Sequence, residues 1–361
     1  MFFSFFLKSF RILLLPFALL YWAGIALRNW LYHKKIFTTT RFGLPLICVG
    51  NLAVGGTGKS PMVEYLLRLL KDQYATATLS RGYKRRTKGY ALAGPGTTAL
   101  DIGDEPMQFH LKFPEVAVAV GEERVEAIPQ LLHDCPGTEV VVLDDAFQHR
   151  AIEAGLNILL TECSNLFTRD FYLPTGDLRD LKSGYKRADI IVVTKCKSSL
   201  TEAEKQDIIH EIKLLPHQQI FFTTLQYGQL YHAVNKNAGT MGPGTEVLLV
   251  TGIANPRPLK LFLEEQVKSY HLLQYADHHI FTIDDLKEIK KKFAETASPD
   301  KVIVTTEKDA VRLIKFSQEI QELPLYILPV RHHFLFQEGA QFDALIHSFI
   351  RNFQKPEQQQ S

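Results

Sequence analysis

The stretch GNLAVGGTGKSP, Gly50 to Pro61, restricts this chain to a small set of folds, because it sets a glycine-rich turn and a Lys-Ser step between two elements of different periodicity. Ahead of it, LPLICVGN is an apolar run that predicts a buried strand. Behind it, SPMVEYLLRLLKD carries Met62, Val63, Leu66, Leu67 and Leu70 at helical spacing. Strand, loop and helix in that order are the context in which a phosphate-binding loop works. Backbone N–H groups of Gly55, Gly56, Thr57 and Gly58 can close round an anion at the helix N-terminus, where the helix dipole favours negative charge. The Lys59 ammonium is then expected at the β and γ phosphates of a nucleotide, and the Ser60 hydroxyl on Mg2+. The expected nucleotide-binding stretch is therefore Ala53, Val54, Gly55, Gly56, Thr57, Gly58, Lys59 and Ser60.

Two departures qualify the motif. The strict pattern has glycine where this chain has Ala53, and the loop of membrane-recruited partitioning ATPases has a second lysine where this chain has Val54. The second departure counts against that class without removing it. Guanine specificity usually comes from an N-K-x-D stretch on a late strand; ADIIVVTKCK offers Thr194, Lys195, Cys196 and Lys197 and no aspartate, so adenine, and hence ATP, is the expected base.

Carboxylates belong near such a loop. EVVVLDDAFQHR is an apolar strand ending in Asp144 and Asp145, the place where a metal-serving carboxylate sits at the carboxyl edge of a parallel sheet. DIGDEPMQ adds Asp101, Asp104 and Glu105 in a loop closed by Pro106, a weak signal whose value depends on what lies opposite. SRGYKRRTKGY collects Arg81, Lys84, Arg85, Arg86 and Lys88 after the strand ATATL, either as a solvated basic loop or as a grip on an anionic substrate or lipid headgroups. QYADHHIFT holds Asp277, His278 and His279 ahead of a helix; a histidine there serves as a cap or surface group more often than as a base.

Apolar strands and helical stretches alternate to about Gly228, which predicts a doubly wound parallel sheet, and TEVLLVTGIANPRPLKLFLEEQ and DKVIVTTEKDAVRL start the pattern again. The expected α/β fold is thus phosphate-loop NTPase-like, with an N-terminal hydrophobic helix at 1–35, a core at 36–228 and a second, smaller α/β domain at 229–361. Between Arg11 and Arg28 the run ILLLPFALLYWAGIAL carries no charge and spans ~24 Å as a helix, short of the ~30 Å hydrocarbon core. It crosses a bilayer only with snorkelling flanks, or lies in the interface, where Lys8, Arg11, Arg28, Lys34, Lys35 and Arg41 meet anionic lipid before the first acidic residue, Glu64. A net charge of +2 argues against nucleic-acid binding, and four scattered cysteines suggest neither a zinc site nor a disulfide framework. A reducing cytosol suits them.

Taken in order, GNLAVGGTGKSP, SRGYKRR, GDEP, LDDAFQHR, LRD after PTGD, VTK, GIANP, ADHH and TEKDAVRL resemble the tetraacyldisaccharide 4'-kinase family, the lipid A 4'-kinases, from about Gly50 to Leu313. The resemblance implies transfer of the γ-phosphate of ATP, with Mg2+, to the 4'-hydroxyl of a tetraacyl glucosamine disaccharide 1-phosphate, forming lipid IVA at the cytoplasmic face of the inner membrane. It implies a base made by Asp104 with His278, phosphate and metal roles for Lys59 and Ser60, metal or metal-water roles for Glu105, Asp144 and Asp145, and substrate or phosphate roles for Arg81 and Arg179. Many members have threonine where this chain has Ser60, which keeps the hydroxyl, and glycines where it has Lys84, Arg85 and Arg86. Two rivals remain on the residues alone: a membrane-recruited regulatory ATPase of the partitioning class, and an anionic-lipid-binding module with a vestigial nucleotide site. Neither oligomeric state nor acyl-chain preference is legible.

Overall fold

A computed structural model describes residues 11–353, so what was expected of residues 1–10 lies outside the described residues. Its centre is a nine-stranded sheet. From one edge to the other the strands are Val330–Phe334, Gln219–Tyr227, Ile190–Thr194, Leu156–Glu162, Leu46–Asn51, Val140–Asp144, Thr76–Ser80, Ala117–Val120 and Ala91–Leu92. The two edge strands run antiparallel to their neighbours and every interior pairing is parallel. Parallel strands need covering on both faces, and two apolar layers do this: one around Ile47, Val49, Leu66, Leu67 and Phe109, the other around Cys48, Leu79, Ile128, Val141 and Phe147. Alternate residues of Leu46–Asn51 feed opposite layers, which is why Leu46 to Val49 are all apolar. The helix Lys59–Leu70 buries Met62, Val63, Leu66, Leu67 and Leu70, as the spacing predicts. Each such side chain contributes roughly 1.5–3 kcal/mol of burial, enough to hold the preceding loop in place.

A second sheet of five strands follows: Tyr231–His232, Leu325–Leu328, Lys301–Thr306, Glu246–Thr251 and Ser269–Gln274 in spatial order. It has its own two layers, about Leu248, Phe281 and Leu313 on one face and Val247, Leu263 and Val304 on the other. The chain then returns. Thr223 to Tyr227 pair with Phe334 to Val330, and Phe334, Phe342, Ile346 and Ile350 enter the layer containing Met62 and Leu66. The second unit expected at 229–361 is therefore shorter, because residues 330–351 find their apolar partners on the first sheet. VRHHFLF is a strand in either location, and only long-range pairing decides between them.

That returning strand buries His332, and burial pushes its pKa from 6.5 down to about 4. An unfolded histidine takes a proton in this interval while the folded one does not. Its contribution to stability is thus intact above about pH 6.5 and is lost as pH falls towards about 4, up to roughly 3 kcal/mol. Urea unfolding at near-neutral pH and at about pH 4.5 should show a smaller acid loss for His332→Phe than for the parent; equal losses would remove this assignment.

The N-terminal helix Leu15–His33 has a single buried residue, Ala18. Its polar edge is tied to the core: Arg28 donates to the Gln148 carbonyl (2.7 Å), Asn29 to Asp180 (2.9 Å), Tyr21 to the Arg179 carbonyl (3.3 Å), and Arg150 donates to the Asn29 carbonyl (3.0 Å). Leu13, Phe17, Leu19, Leu20, Trp22, Leu27 and Trp30 are left exposed. Among the described residues no helix is long and apolar enough to cross a membrane.

Candidate active site

The loop leaves the strand Leu46–Asn51 and is gripped at once. Ala53 forms a β-bridge with Leu178, and the Val54 N–H donates to the Asp177 carbonyl (2.8 Å). An extended bridge suits alanine, so glycine is dispensable at position 53. Positive φ is needed later, at Gly55 (+106°) and Gly58 (+89°), where the motif does supply glycine. Buried Asn51 donates to the Thr57 hydroxyl (2.8 Å) and accepts from Arg179, linking the root of the loop to the PTGDLRD segment. Gly58 caps the helix that starts at Lys59, so the N–H groups of its first turn face the site.

Two carboxylates adjacent in the chain join this loop to the second unit. Gly103, at φ +92°, turns the chain into the helix Asp104–Lys112 and puts both acids in its first turn. Glu105 accepts from the Ser60 hydroxyl (3.1 Å). Asp104 accepts from His278 Nδ1 (2.8 Å) and pairs with Arg312 through both oxygens, Arg312 Nε lying 2.9 Å from Oδ1. Burial opposes the charge on Asp104, but Arg312 and then His278 hold its carboxyl below the usual range. Because the Asp104 carboxylate only accepts, Nδ1 of His278 donates to it, which in the neutral imidazole leaves the lone pair on Nε2, while Arg312, 3.0 Å from Nδ1, shares the same carboxylate. Lys308 Nζ lies 3.4 Å from that Nε2, and the Tyr83 ring stands edge-on at 6.0 Å. His278 adopts φ +64°, a left-handed conformation that side chains seldom take and that costs roughly 1–2 kcal/mol, held here by Asp104 and Arg312.

The remaining acids divide. Asp145 also has positive φ (+50°) and pairs with Arg179, with Lys59 Nζ at 3.7 Å. Burial works against its ionisation, but the Arg179 bonds and the Lys59 charge keep its pKa below the ordinary value. Asp144 is buried with Oδ1 unpartnered, and burial, reinforced by the charges of Glu105 and Asp145, pushes its pKa up to about 8. Among the described residues no three His, Cys, Asp or Glu side chains form a complete metal cage. Ser60 instead bonds to Glu105, whose charge reaches buried Asp144, so these oxygen donors lie near one another beside the loop. Such a set fits Mg2+, which prefers oxygen donors and would offset the repulsion that helps to raise the Asp144 pKa.

Other expected residues take different places. Arg81 is exposed at the end of the strand Thr76–Ser80. Its charge, with that of Asp144, reaches buried Arg124, whose pKa is lowered chiefly by burial. Within the basic loop Arg85 is structural, its side chain 2% exposed and paired with Glu122 (2.7 Å), whereas Lys84, Arg86 and Lys88 are exposed. Asp101 completes a capping box with Thr98. His279 stacks on Tyr275 and pairs with Asp285 (2.9 Å), which leaves His278 as the histidine of ADHH that faces the other unit. Arg312, Lys308 and Asn51 were not foreseen. A lysine and an arginine within TEKDAVRL, four residues apart on one helical face, were the available signal; Arg312 is buried and Lys308 half-buried.

Comparison with known proteins agrees across nearly the full length. The sequence model of the family described as tetraacyldisaccharide-1-P 4'-kinase matches residues 10–351. Tetraacyldisaccharide 4'-kinase of Flavobacterium johnsoniae is 44% identical over 347 residues, covering 96% of this chain and 99% of that protein. The protein of the same name from Parabacteroides distasonis is 43% identical over 351 residues, 94% of each chain. The crystal structure of LpxK from Aquifex aeolicus in complex with ATP superposes with a TM-score of 0.73 at 26% identity, covering 94% of this chain and 99% of that one.

Proposed function

Because the chain belongs to the tetraacyldisaccharide-1-P 4'-kinase family, we propose that it transfers the γ-phosphate of ATP to the 4'-hydroxyl of a tetraacylated disaccharide 1-phosphate. The observation that carries this reading is the pair Asp104 and Glu105: one holds the imidazole of the second unit, the other the hydroxyl of the phosphate loop. Nucleophile activation and phosphate binding are thereby fixed to the same helical turn. Phosphoryl transfer asks chiefly for alignment and charge neutralisation. First-turn N–H groups and Lys59 bind the phosphates, and His278 Nε2, its other nitrogen held by Asp104, accepts the proton of the sugar hydroxyl. Lys308 gives up its contact with Nε2 as the hydroxyl arrives. Ser60, Glu105 and Asp144 would hold Mg2+, which would supply further charge neutralisation at the phosphates. Arg179 keeps Asp145 ionised beside Lys59, and Arg81 stands on the side open to the anionic substrate.

Asp104 and His278 already touch, so the second unit is held near its working position, with closure confined to what admits the lipid and excludes water. The rival regulatory ATPase has no use for an imidazole paired with a carboxylate beside the phosphate loop. Incubation with γ-labelled ATP and the disaccharide 1-phosphate lipid should place label on the 4' oxygen. ATP hydrolysis with no labelled lipid would sink the assignment in favour of that rival.

The exposed apolar face of the N-terminal helix supports docking on the inner membrane, with both units on its cytoplasmic side. Phe17 and Leu20 share one face of the helix and Leu13 lies in the turn just ahead of it, all three exposed and Leu20 by 71%. Changing all three to aspartate should abolish flotation with anionic phospholipid vesicles while transfer to detergent-dispersed lipid stays within about threefold. Undiminished flotation would place the membrane contact elsewhere.

A further inference from the structure

The strand that returns from the second unit does more than close the sheet. Buried His332 places Nε2 2.9 Å from the Gly58 carbonyl and Nδ1 2.9 Å from the Thr223 hydroxyl. A carbonyl only accepts, so Nε2 carries the hydrogen and Nδ1 accepts from Thr223. The ring stays neutral, since burial drives its pKa down to about 4 against the Gly58 hydrogen bond that favours the charged form. Beside it, the buried Thr194 hydroxyl donates to the Thr57 carbonyl (2.8 Å). Two successive carbonyls of the phosphate loop are thus drawn into the protein by side chains from two other strands.

We propose that His332, together with Thr194, is a positioning residue for nucleotide binding, holding the Thr57–Gly58 and Gly58–Lys59 peptides so that their N–H groups face the phosphates. In a planar trans peptide C=O and N–H point in opposite directions. Tethering the Thr57 carbonyl inward turns the Gly58 N–H outward, and tethering the Gly58 carbonyl does the same for the Lys59 N–H. The same contact explains the glycine: a Cβ on Gly58 would lie 3.0 Å from His332 Nε2, at a φ of +89° that side chains avoid. His332 acts through the loop and touches no reacting atom. Its role deepens the proposed function and rests on ATP being the bound nucleotide.

The test reads nucleotide binding apart from catalysis. With a fluorescent N-methylanthraniloyl-ATP as probe, His332→Phe, which keeps the ring volume and loses both hydrogen bonds, should bind about tenfold more weakly. His332→Gln, whose amide can donate to Gly58, should return to within about threefold of the parent. In transfer assays the KM for ATP should rise for His332→Phe, while kcat and the KM for the lipid change by less than about threefold. Thr194→Val should show the same split, which keeps the inference testable if the phenylalanine variant folds poorly. Unchanged probe binding by both His332→Phe and Thr194→Val would overturn the proposal, as would a glutamine variant as weak as the phenylalanine one. A parent protein that binds no ATP probe would overturn the nucleotide reading itself, a different failure from the first.

Discussion

Lys59→Ala is expected to lower phosphoryl transfer by at least about a thousandfold with the fold intact. The reason is electrostatic. Loss of one preorganised donor at a site of developing charge costs ~3–4 kcal/mol, which is 10²- to 10³-fold, and here the lost group is a full cation. Lys59 sits half-buried at the first position of its helix, with Asp145 3.7 Å away. Its removal also leaves Asp145 with Arg179 as its remaining close cationic partner, so extra negative charge faces the phosphates. The helix is held by Met62, Leu66 and Leu67, which the change does not touch. Label transfer to the lipid gives the rate, and thermal unfolding verifies the fold. A variant retaining a tenth of parental kcat would remove the loop lysine from the chemistry.

His278→Ala should reduce kcat by 10²- to 10⁴-fold, the range typical of general-base assistance, and leave the KM for ATP nearly unchanged. The split follows from location: His278 belongs to the second unit and bonds to Asp104, whereas the phosphate loop is assembled within the first. Stability should suffer little. Arg312 still neutralises Asp104 once the imidazole is gone, and relief of the +64° backbone angle is absent for alanine but the side chain lost is only partly buried. If His278 and Asp104 act as one unit, adding Asp104→Asn to His278→Ala should depress kcat by much less than the product of the single effects. Unaltered turnover in His278→Ala, or fully multiplicative losses, would end the assignment of this pair as the base.

Some of the site was legible from local pattern alone. A phosphate loop is a contiguous backbone object, so twelve consecutive residues specify it, and the helix behind it announces its buried face through Met62, Val63, Leu66, Leu67 and Leu70. Asp144 and Asp145 were readable for the same reason, as the polar end of an apolar strand. Pairing of Asp104 with His278 came from family resemblance, since nothing in either stretch refers to the other. Arg312 and Lys308 went unnoticed because on a helix their spacing is equally that of an ordinary solvated face.

What the sequence determined by itself is therefore whatever depends on neighbours within a turn or a strand: the parallel alternation, the glycine loop and its charges, and the apolar N-terminal helix. Tertiary structure alone decided where the tail goes, that Arg312 and not solvent balances Asp104, and that His332, 274 positions beyond Gly58, reaches the loop's carbonyl. The physical reason is that a hydrogen bond or an ion pair leaves no periodicity in the chain when its partners lie far apart. Burial selects such partners only after the sheet has closed around them.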